Sequence, residues 1–256
     1  MADPFRLDGQ HVLITGAGGG IGRALVASFR GAGAEVSGAD REAEMFGGLG
    51  LKHALVADLG DVEATRAATL DFLDRAGVPD IVISNAGFTR AETLDHLDLA
   101  TWQSEMAINL NGAYALTGPI VEAMSRRGSG NLVFIASVNG LMHYGNPAYS
   151  AAKAGLIAYA KAIAVERGSR GVRANVVCPG SVRTPAWDHR LATDPALLGK
   201  VLLHYPLGRL VTPEEVANAA LFLASPAASG ITGIAINVDA GLTASNLRFV
   251  DEVLRG

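Results

Sequence analysis

Tyr149 and Lys153 stand four residues apart in the stretch N-P-A-Y-S-A-A-K-A-G, among small side chains. On a helix that spacing places the phenol and the ammonium on one face, one turn apart. A free tyrosine ionises at about 10, too high for a base at neutral pH. A neighbouring ammonium favours the phenolate, as would a cationic nicotinamide ring. Such a pair exchanges a proton with a secondary alcohol while hydride moves to a cofactor. Lys153 is also placed to reach the nicotinamide ribose. Ser137, twelve positions before Tyr149, ends the apolar run N-L-V-F-I-A-S and would hydrogen-bond the substrate oxygen. Taken alone, Y-x-x-x-K describes a surface tyrosine and lysine equally well, so the surrounding motifs decide its meaning.

The first of these is T-G-A-G-G-G-I-G at 15–22. Gly16, Gly20 and Gly22 keep the backbone bare, so its amides and the positive end of the following helix can approach a pyrophosphate. The pattern is G-x-x-x-G-x-G, with Ile21 where G-x-G-x-x-G would place its third glycine. Asp40 closes the next apolar run. An acid there takes both ribose hydroxyls of adenosine and repels a 2′-phosphate. Arg41 follows at once and would do the reverse. Asp40 favours NAD over NADP.

These residues need a scaffold, and the chain supplies one. The apolar runs H-V-L-I-T, A-E-V-S-G-A-D, H-A-L-V-A-D, D-I-V-I-S-N, N-L-V-F-I-A-S, V-R-A-N-V-V-C-P-G and I-A-I-N-V-D-A-G read as seven strands. Between them lie segments of helical period. Positions 21–31 place Ile21, Leu25, Val26 and Phe29 on one face. Positions 62–75 turn Leu70 and Leu73 inward, 99–126 form a long helical stretch, and 149–167 carry the Tyr-Lys pair. Thr212-Pro213-Glu214-Glu215 has a capping threonine, proline at the first helical position and glutamate three residues after the cap. Strands bounded by helices imply parallel crossovers and a doubly wound α/β sheet in one domain over 1–256. The stretch from 179 to about 209 is a long irregular segment, expected to be a substrate lid.

Composition fits this reading. Hydrophobic residues make up 49% of 256, enough for a sizeable core, and the net charge of −4 comes without blocks of like charge. No nucleic-acid partner and no membrane surface are expected. The opening M-A-D-P-F-R has no basic region followed by an apolar run, which predicts no signal peptide and a cytoplasmic protein. No apolar stretch approaches the ~20 residues of a membrane span. Cys178 is the only cysteine and the six histidines are scattered, so neither an internal disulfide nor a bound metal is expected.

The motifs together resemble the short-chain dehydrogenase/reductase family, in its short single-domain branch, over nearly the whole chain. The residues carrying the resemblance are T-G-A-G-G-G-I-G, Asp40, Asp58-Leu59, Asn85-Ala86-Gly87, Asn109, Ser137, Y-S-A-A-K at 149–153 and P-G-S-V-R-T-P at 179–185. The resemblance implies a Rossmann fold and an Asn109-Ser137-Tyr149-Lys153 tetrad. Tyr149 would be the acid/base, Ser137 the orienter, and Lys153 the group that lowers the tyrosine pKa and holds the ribose. Asn109 would hold a water linking Lys153 to solvent, with Asn111 of the same I-N-L-N-G as the alternative. The cofactor would be NAD, held by Gly16, Gly19, Gly20, Ile21 and Gly22, with Asp58 and Leu59 at the adenine and Asn85, Ala86 and Gly87 alongside. Pro179, Gly180, Val182 and Thr184 would cover the nicotinamide. Ser84 stands where the family often has a second asparagine, and the connection between strands two and three is short. The family also implies a homo-oligomer, usually a tetramer, built on the helices around 100–125 and 149–167. The apolar C-terminal residues Leu247, Phe249, Val250, Val253 and Leu254 either join that contact or form an amphipathic helix on their own subunit.

The substrate pocket is expected from Asn139, Met142, His143 and Tyr144 after Ser137, and from Trp187, Asp188, His189, Arg190, His204 and Tyr205 in the lid. Apolar platforms with hydrogen-bonding tips suit a small hydroxylated substrate such as a sugar or polyol. An NADPH-dependent carbonyl or 3-oxoacyl reductase, with Arg41 on the phosphate, is the alternative enzyme. A non-catalytic nucleotide-binding scaffold on the same fold is the alternative of another class.

Overall fold

Strands that are apolar on both faces belong in the middle of a three-layer sandwich, and the seven apolar runs do lie there. The computed structural model describes residues 3–90, 93–244 and 246–255. The strands are β1 (His11–Thr15), β2 (Glu35–Asp40), β3 (Ala54–Val56), β4 (Ile81–Ser84), β5 (Gly130–Ile135), β6 (Val172–Pro179) and β7 (Ala235–Val238). They form one sheet in the order β3-β2-β1-β4-β5-β6-β7, every neighbouring pair parallel. Successive residues of β1 serve opposite cores: Val12 and Ile14 face one, Leu13 the other.

The helices are α1 (Gly20–Gly31), α2 (Val62–Ala76), α3 (Leu99–Met106), α4 (Gly112–Arg127), α5 (Pro147–Arg167), α6 (Pro185–Thr193), α7 (Leu197–Leu202) and α8 (Pro213–Ala224). Leu25, Val26 and Phe29 of α1 share the first core with Val216, Ala220 and Leu223 of α8. Phe72 of α2, Ile120 and Met124 of α4, and Leu156 and Ile163 of α5 fill the second. Phe29, Phe72 and Phe134 are fully buried; truncating any one to alanine costs ~3–5 kcal/mol.

The start of α8 follows the sequence expectation. Glu215 N–H donates to Thr212 Oγ1 at 3.3 Å, and Thr212 N–H donates to Glu215 Oε2 at 2.9 Å. The Arg209 guanidinium on the same carboxylate holds the Glu215 pKa down to about 2. Two expectations need correction. Helix α2 buries Thr65, Thr69 and Phe72 and packs Leu73 against the second core as expected, but Leu70 is 46% exposed; Leu70 lies one residue, about 100°, off the buried stripe. The stretch from 99 to 126 is helical throughout, with a π-turn at Ala107–Asn111 between α3 and α4. The lid is not irregular: α6 and α7 lie within it, and a parallel bridge between Val182 and Val211 closes its two ends. Among the described residues no helix is long and apolar enough to cross a membrane.

Candidate active site

The strand order reverses between β1 and β4, so the loops leaving their carboxyl ends diverge and open a cleft. The cleft has a volume of about 870 Å³. The loop after β1 forms its floor. A Cβ on Gly22 would lie 1.9 Å from the Gly16 carbonyl oxygen, so the tight turn into α1 excludes any side chain there. Gly16, Gly19, Gly20, Ile21 and Gly22 all line the cleft. Thr184 of the lid packs directly on Gly20.

At one end of the cleft, Asp40 Oδ2 accepts from Gly18 N–H at 3.0 Å and Oδ1 from Arg41 N–H at 2.9 Å. The carboxylate is thus fixed at the rim of the glycine loop. Arg41 turns to Glu42, 3.2 Å away. The connection from β2 to β3 holds only a short 3₁₀ turn at Ala43–Phe46, and Asp40, Asp58 and Leu59 line the same cleft. Arg23 secures that connection by donating to the carbonyls of Gly18, Met45 and Gly47 at 3.0, 3.3 and 3.2 Å.

Asn85, Ala86 and Gly87 run along the wall. Thr15 Oγ1 accepts from the N–H groups of both Asn85 and Ala86 at 2.9 Å, and Asn85 Nδ2 donates to the carbonyls of Thr15 and Gly16 at 3.0 and 3.2 Å. A Cβ built on Gly87 would meet Asn109 Oδ1 at 3.0 Å and Lys153 Nζ at 3.1 Å, so these two side chains flank the same glycine. Asn109 is fully buried on the π-turn; its side chain accepts from Phe88 N–H at 2.9 Å and donates to the carbonyls of Phe88 and Glu105. Asn111 is exposed and lines a separate depression with Tyr114 and Tyr159, so of the two asparagines Asn109 lies at this site.

Helix α5 begins at Pro147, two residues earlier than expected, and puts Tyr149 in its first turn. The Lys153 ammonium lies 5.4 Å from the centre of the Tyr149 ring. It is buried at 2% exposure and donates to the Ile135 carbonyl at 3.0 Å. Burial pushes the Tyr149 pKa up to about 12, against the opposing pull of its hydrogen bond with Ser137. Burial pushes the Lys153 pKa down to about 8. Desolvation therefore outweighs the expected acidification of the phenol by the ammonium, and the protein's own groups keep Tyr149 protonated at neutral pH. Ser137 Oγ accepts from Asn139 N–H at 3.1 Å and donates to Asn139 Oδ1 at 3.3 Å.

The expected substrate residues divide. Asn139 is occupied: besides Ser137 it donates to the Gly145 carbonyl at 2.9 Å and Ser150 Oγ at 3.3 Å, so it braces the loop that holds the serine. Tyr205 is buried and its oxygen accepts from Ser181 N–H at 2.9 Å, which makes it a lid anchor rather than a pocket wall. Asp188 pairs with Arg183 at 3.0 Å. His143, His189 and His204 are exposed, and Trp187 is half-buried under the Arg190 guanidinium. Of the residues expected over the nicotinamide, Thr184 lines the cleft, while Pro179, Gly180 and Val182 do not: Pro179 ends β6, Gly180 N–H donates to the Val238 carbonyl, and Val182 is packed into the first core.

Thr15, Arg23, Arg90 and Glu105 also belong to this site without a motif that singles them out. Glu105 had a signal: it is a lone charge in W-Q-S-E-M-A-I-N-L, one turn before Asn109.

Comparison with known proteins agrees with this geometry. Residues 16–243 match the family model described as enoyl-(acyl carrier protein) reductase. The chain is 37% identical over 249 residues to galactitol 2-dehydrogenase (L-tagatose-forming) of Cereibacter sphaeroides, covering 93% of this chain and 97% of that one. It is 41% identical to an oxidoreductase of the short chain dehydrogenase/reductase family from Burkholderia thailandensis, whose crystal structure matches with a TM-score of 0.89 over 96% of this chain and 98% of that one. A gluconate 5-dehydrogenase from Burkholderia cenocepacia, solved with NADP and tartrate, matches at 32% identity and a TM-score of 0.88 over 95% and 98% of the two chains.

Proposed function

The chain belongs to the short-chain dehydrogenase/reductase family, oxidoreductases that use a nicotinamide cofactor on alcohol and carbonyl groups, and from that premise we propose that it is an NAD-dependent dehydrogenase of a small polyol or sugar. The observation that carries the reaction is the run of contacts from Ser137 to Tyr149, from Tyr149 to Lys153, and from Lys153 to Gly87, which Asn109 flanks as well. The glycine loop, bare at Gly22 where any side chain would strike backbone, fits a dinucleotide, and the cleft at its edge is large enough to hold one.

A nicotinamide dinucleotide bound there supplies the hydride acceptor. In reduction the Tyr149 phenol gives its proton to the carbonyl oxygen; in oxidation the Tyr149 phenolate, favoured by the cationic ring that the bound cofactor would supply, takes the hydroxyl proton of the alcohol as the carbinol carbon loses hydride. Ser137 turns its hydroxyl from Asn139 to the same substrate oxygen and holds it in line with Tyr149. Lys153, fixed at the Ile135 carbonyl, sets the electrostatics of the phenol and reaches the ribose. Asn109 holds the backbone at Phe88 and a water that links Lys153 to solvent. Thr184, which packs on Gly20, and the Pro179, Gly180 and Val182 stretch behind it would cover the nicotinamide.

Asp40 supports NAD: its carboxylate is locked at the cleft rim, where a 2′-phosphate would meet like charge. The polyol assignment is supported by the likeness to galactitol 2-dehydrogenase. A second reading, an NADPH-dependent carbonyl or 3-oxoacyl reductase, is favoured by the NADP in the gluconate 5-dehydrogenase structure and by the acyl-carrier description of the matched family. NADH and NADPH titrations decide between them: tighter NADH supports the dehydrogenase, tighter NADPH the reductase. A homotetramer is supported by the exposed apolar residues Leu99, Tyr114 and Val165 on α3, α4 and α5, and by Phe249, Val253 and Leu254 on the C-terminal turn. Light scattering that shows a monomer rejects it.

A further inference from the structure

Arg90 is a cation that the proposed reaction does not use. It follows β4, in the part of the cleft wall that also holds Ser104 and Ile108. Among the described residues its guanidinium has no ion pair; it lies over the Phe88 ring, 5.2 Å from the centroid. The other charged side chains in the wall are Asp40, Asp58 and Arg41, and Arg41 is compensated by Glu42 at 3.2 Å. Among the described residues, a cleft that must hold phosphate anions therefore carries two carboxylates and a single guanidinium without an ion pair.

The backbone beneath Arg90 is independently fixed. Glu105 is fully buried in α3, and its Oε1 accepts from the Thr89 hydroxyl at 2.9 Å and from the Arg90 N–H. Burying a carboxylate is costly unless it is hydrogen-bonded, and this one is used to hold the two residues that present the guanidinium. The ring of Phe88 gives the guanidinium a weak resting place that a phosphate outcompetes, because arginine meets phosphate with two parallel, charge-assisted hydrogen bonds.

We propose that Arg90 leaves Phe88 to bind a phosphate oxygen of the bound dinucleotide, with Glu105 as the positioning residue that sets its starting point. The inference rests on the reading of this cleft as a nicotinamide-dinucleotide site. The bridging diphosphate and a 2′-phosphate offer the same chemistry, and the test separates them.

NADH and NADPH affinities of the full chain are measured by fluorescence titration at low and high salt, for the wild type and for Arg90→Gln. The side chain is exposed, so the variant should fold. Its Kd should rise roughly 5- to 20-fold, the loss of a charge-assisted pair at a wet site. Much of the wild type's salt dependence should vanish with it. Equal rises for both nucleotides support contact with the bridging diphosphate, and a rise confined to NADPH supports contact with the 2′-phosphate. Glu105→Ala should weaken binding in the wild-type background and add nothing in the Arg90→Gln background, a dependence that a merely structural role would not produce. Unchanged affinity of Arg90→Gln for both nucleotides overturns the inference alone, as does an effect confined to the KM of the alcohol. A wild type that binds neither nucleotide overturns the reading of the cleft and the inference with it.

Discussion

Lys153→Met removes an ammonium held at 2% exposure, 5.4 Å from the centre of the Tyr149 ring. The group ionises at about 8 in the folded chain, against 10.5 when free. At 1.36 kcal/mol per tenfold, keeping it charged in the interior costs about 3 kcal/mol below pH 8. The unfolded chain holds this proton between pH 8 and 10.5 while the folded chain has released it. Stability therefore rises with pH across that window, and the gain is lost as pH falls through 8. Between pH 7 and pH 9 the lysine's share of that rise is about 1.4 kcal/mol. The hydrogen bond to the Ile135 carbonyl also disappears in the variant; the part of it that depends on the ammonium's charge is already contained in the lysine's pKa, and the rest only offsets the two curves. Urea unfolding of both proteins at pH 7, 8 and 9 isolates the titration. The stability of the wild type relative to Lys153→Met should improve by about 1.4 kcal/mol from pH 7 to pH 9. Parallel pH profiles would refute the assignment of a buried, charge-destabilised ammonium.

Three further outcomes are expected. Thr15→Val leaves the Asn85 and Ala86 N–H groups without their shared acceptor; it should lower stability by about 2 kcal/mol in urea unfolding, and an unchanged midpoint would show that water replaces the hydroxyl. Asn139→Ala removes the Oδ1 acceptor of the Ser137 hydroxyl and the side-chain bonds to Gly145 and Ser150, leaving only the backbone N–H of residue 139 on Ser137 Oγ, and should lower kcat about tenfold with little change in the alcohol KM; the reverse pattern, a raised KM with normal kcat, would return Asn139 to the substrate pocket. Asp40→Ala removes the carboxylate at the cleft rim and should weaken NADH binding about tenfold while improving NADPH binding; equal shifts for both would show that Asp40 does not select the cofactor.

The parts of this molecule that were legible in its sequence are those where one residue type can meet the demand. Runs such as H-V-L-I-T can only be strands buried on both faces, and β1 was bounded to the residue. The Thr212-Pro213 start of α8 declared itself through Glu215. The same Thr-Pro pair at 184–185 begins α6, but Trp187 stands where a capping glutamate would, and that helix was read as irregular chain. The π-turn at Ala107–Asn111 has no local signature; it carries Asn109, whose side chain accepts from Phe88 N–H far away in sequence. Tertiary partners likewise decided Tyr205 and Asn139: both have tips suited to a ligand, and both tips are taken by backbone groups of their own loops. The pKa of Tyr149 shows the same limit, because spacing reveals the nearby ammonium but not the desolvation that outweighs it.

Tyr149 is the residue proposed to move the proton in a nicotinamide-dependent oxidation of a secondary alcohol. NADH formation from NAD by the wild type and by Tyr149→Phe, over a panel of polyols, aldoses and simple secondary alcohols and with NADH affinity measured on both proteins, puts that role to the test. The wild type should turn over at least one polyol, removal of the phenolic hydroxyl should lower kcat by at least ~10²-fold, and NADH affinity should be unchanged. Substantial turnover by Tyr149→Phe would remove Tyr149 from the proton transfer.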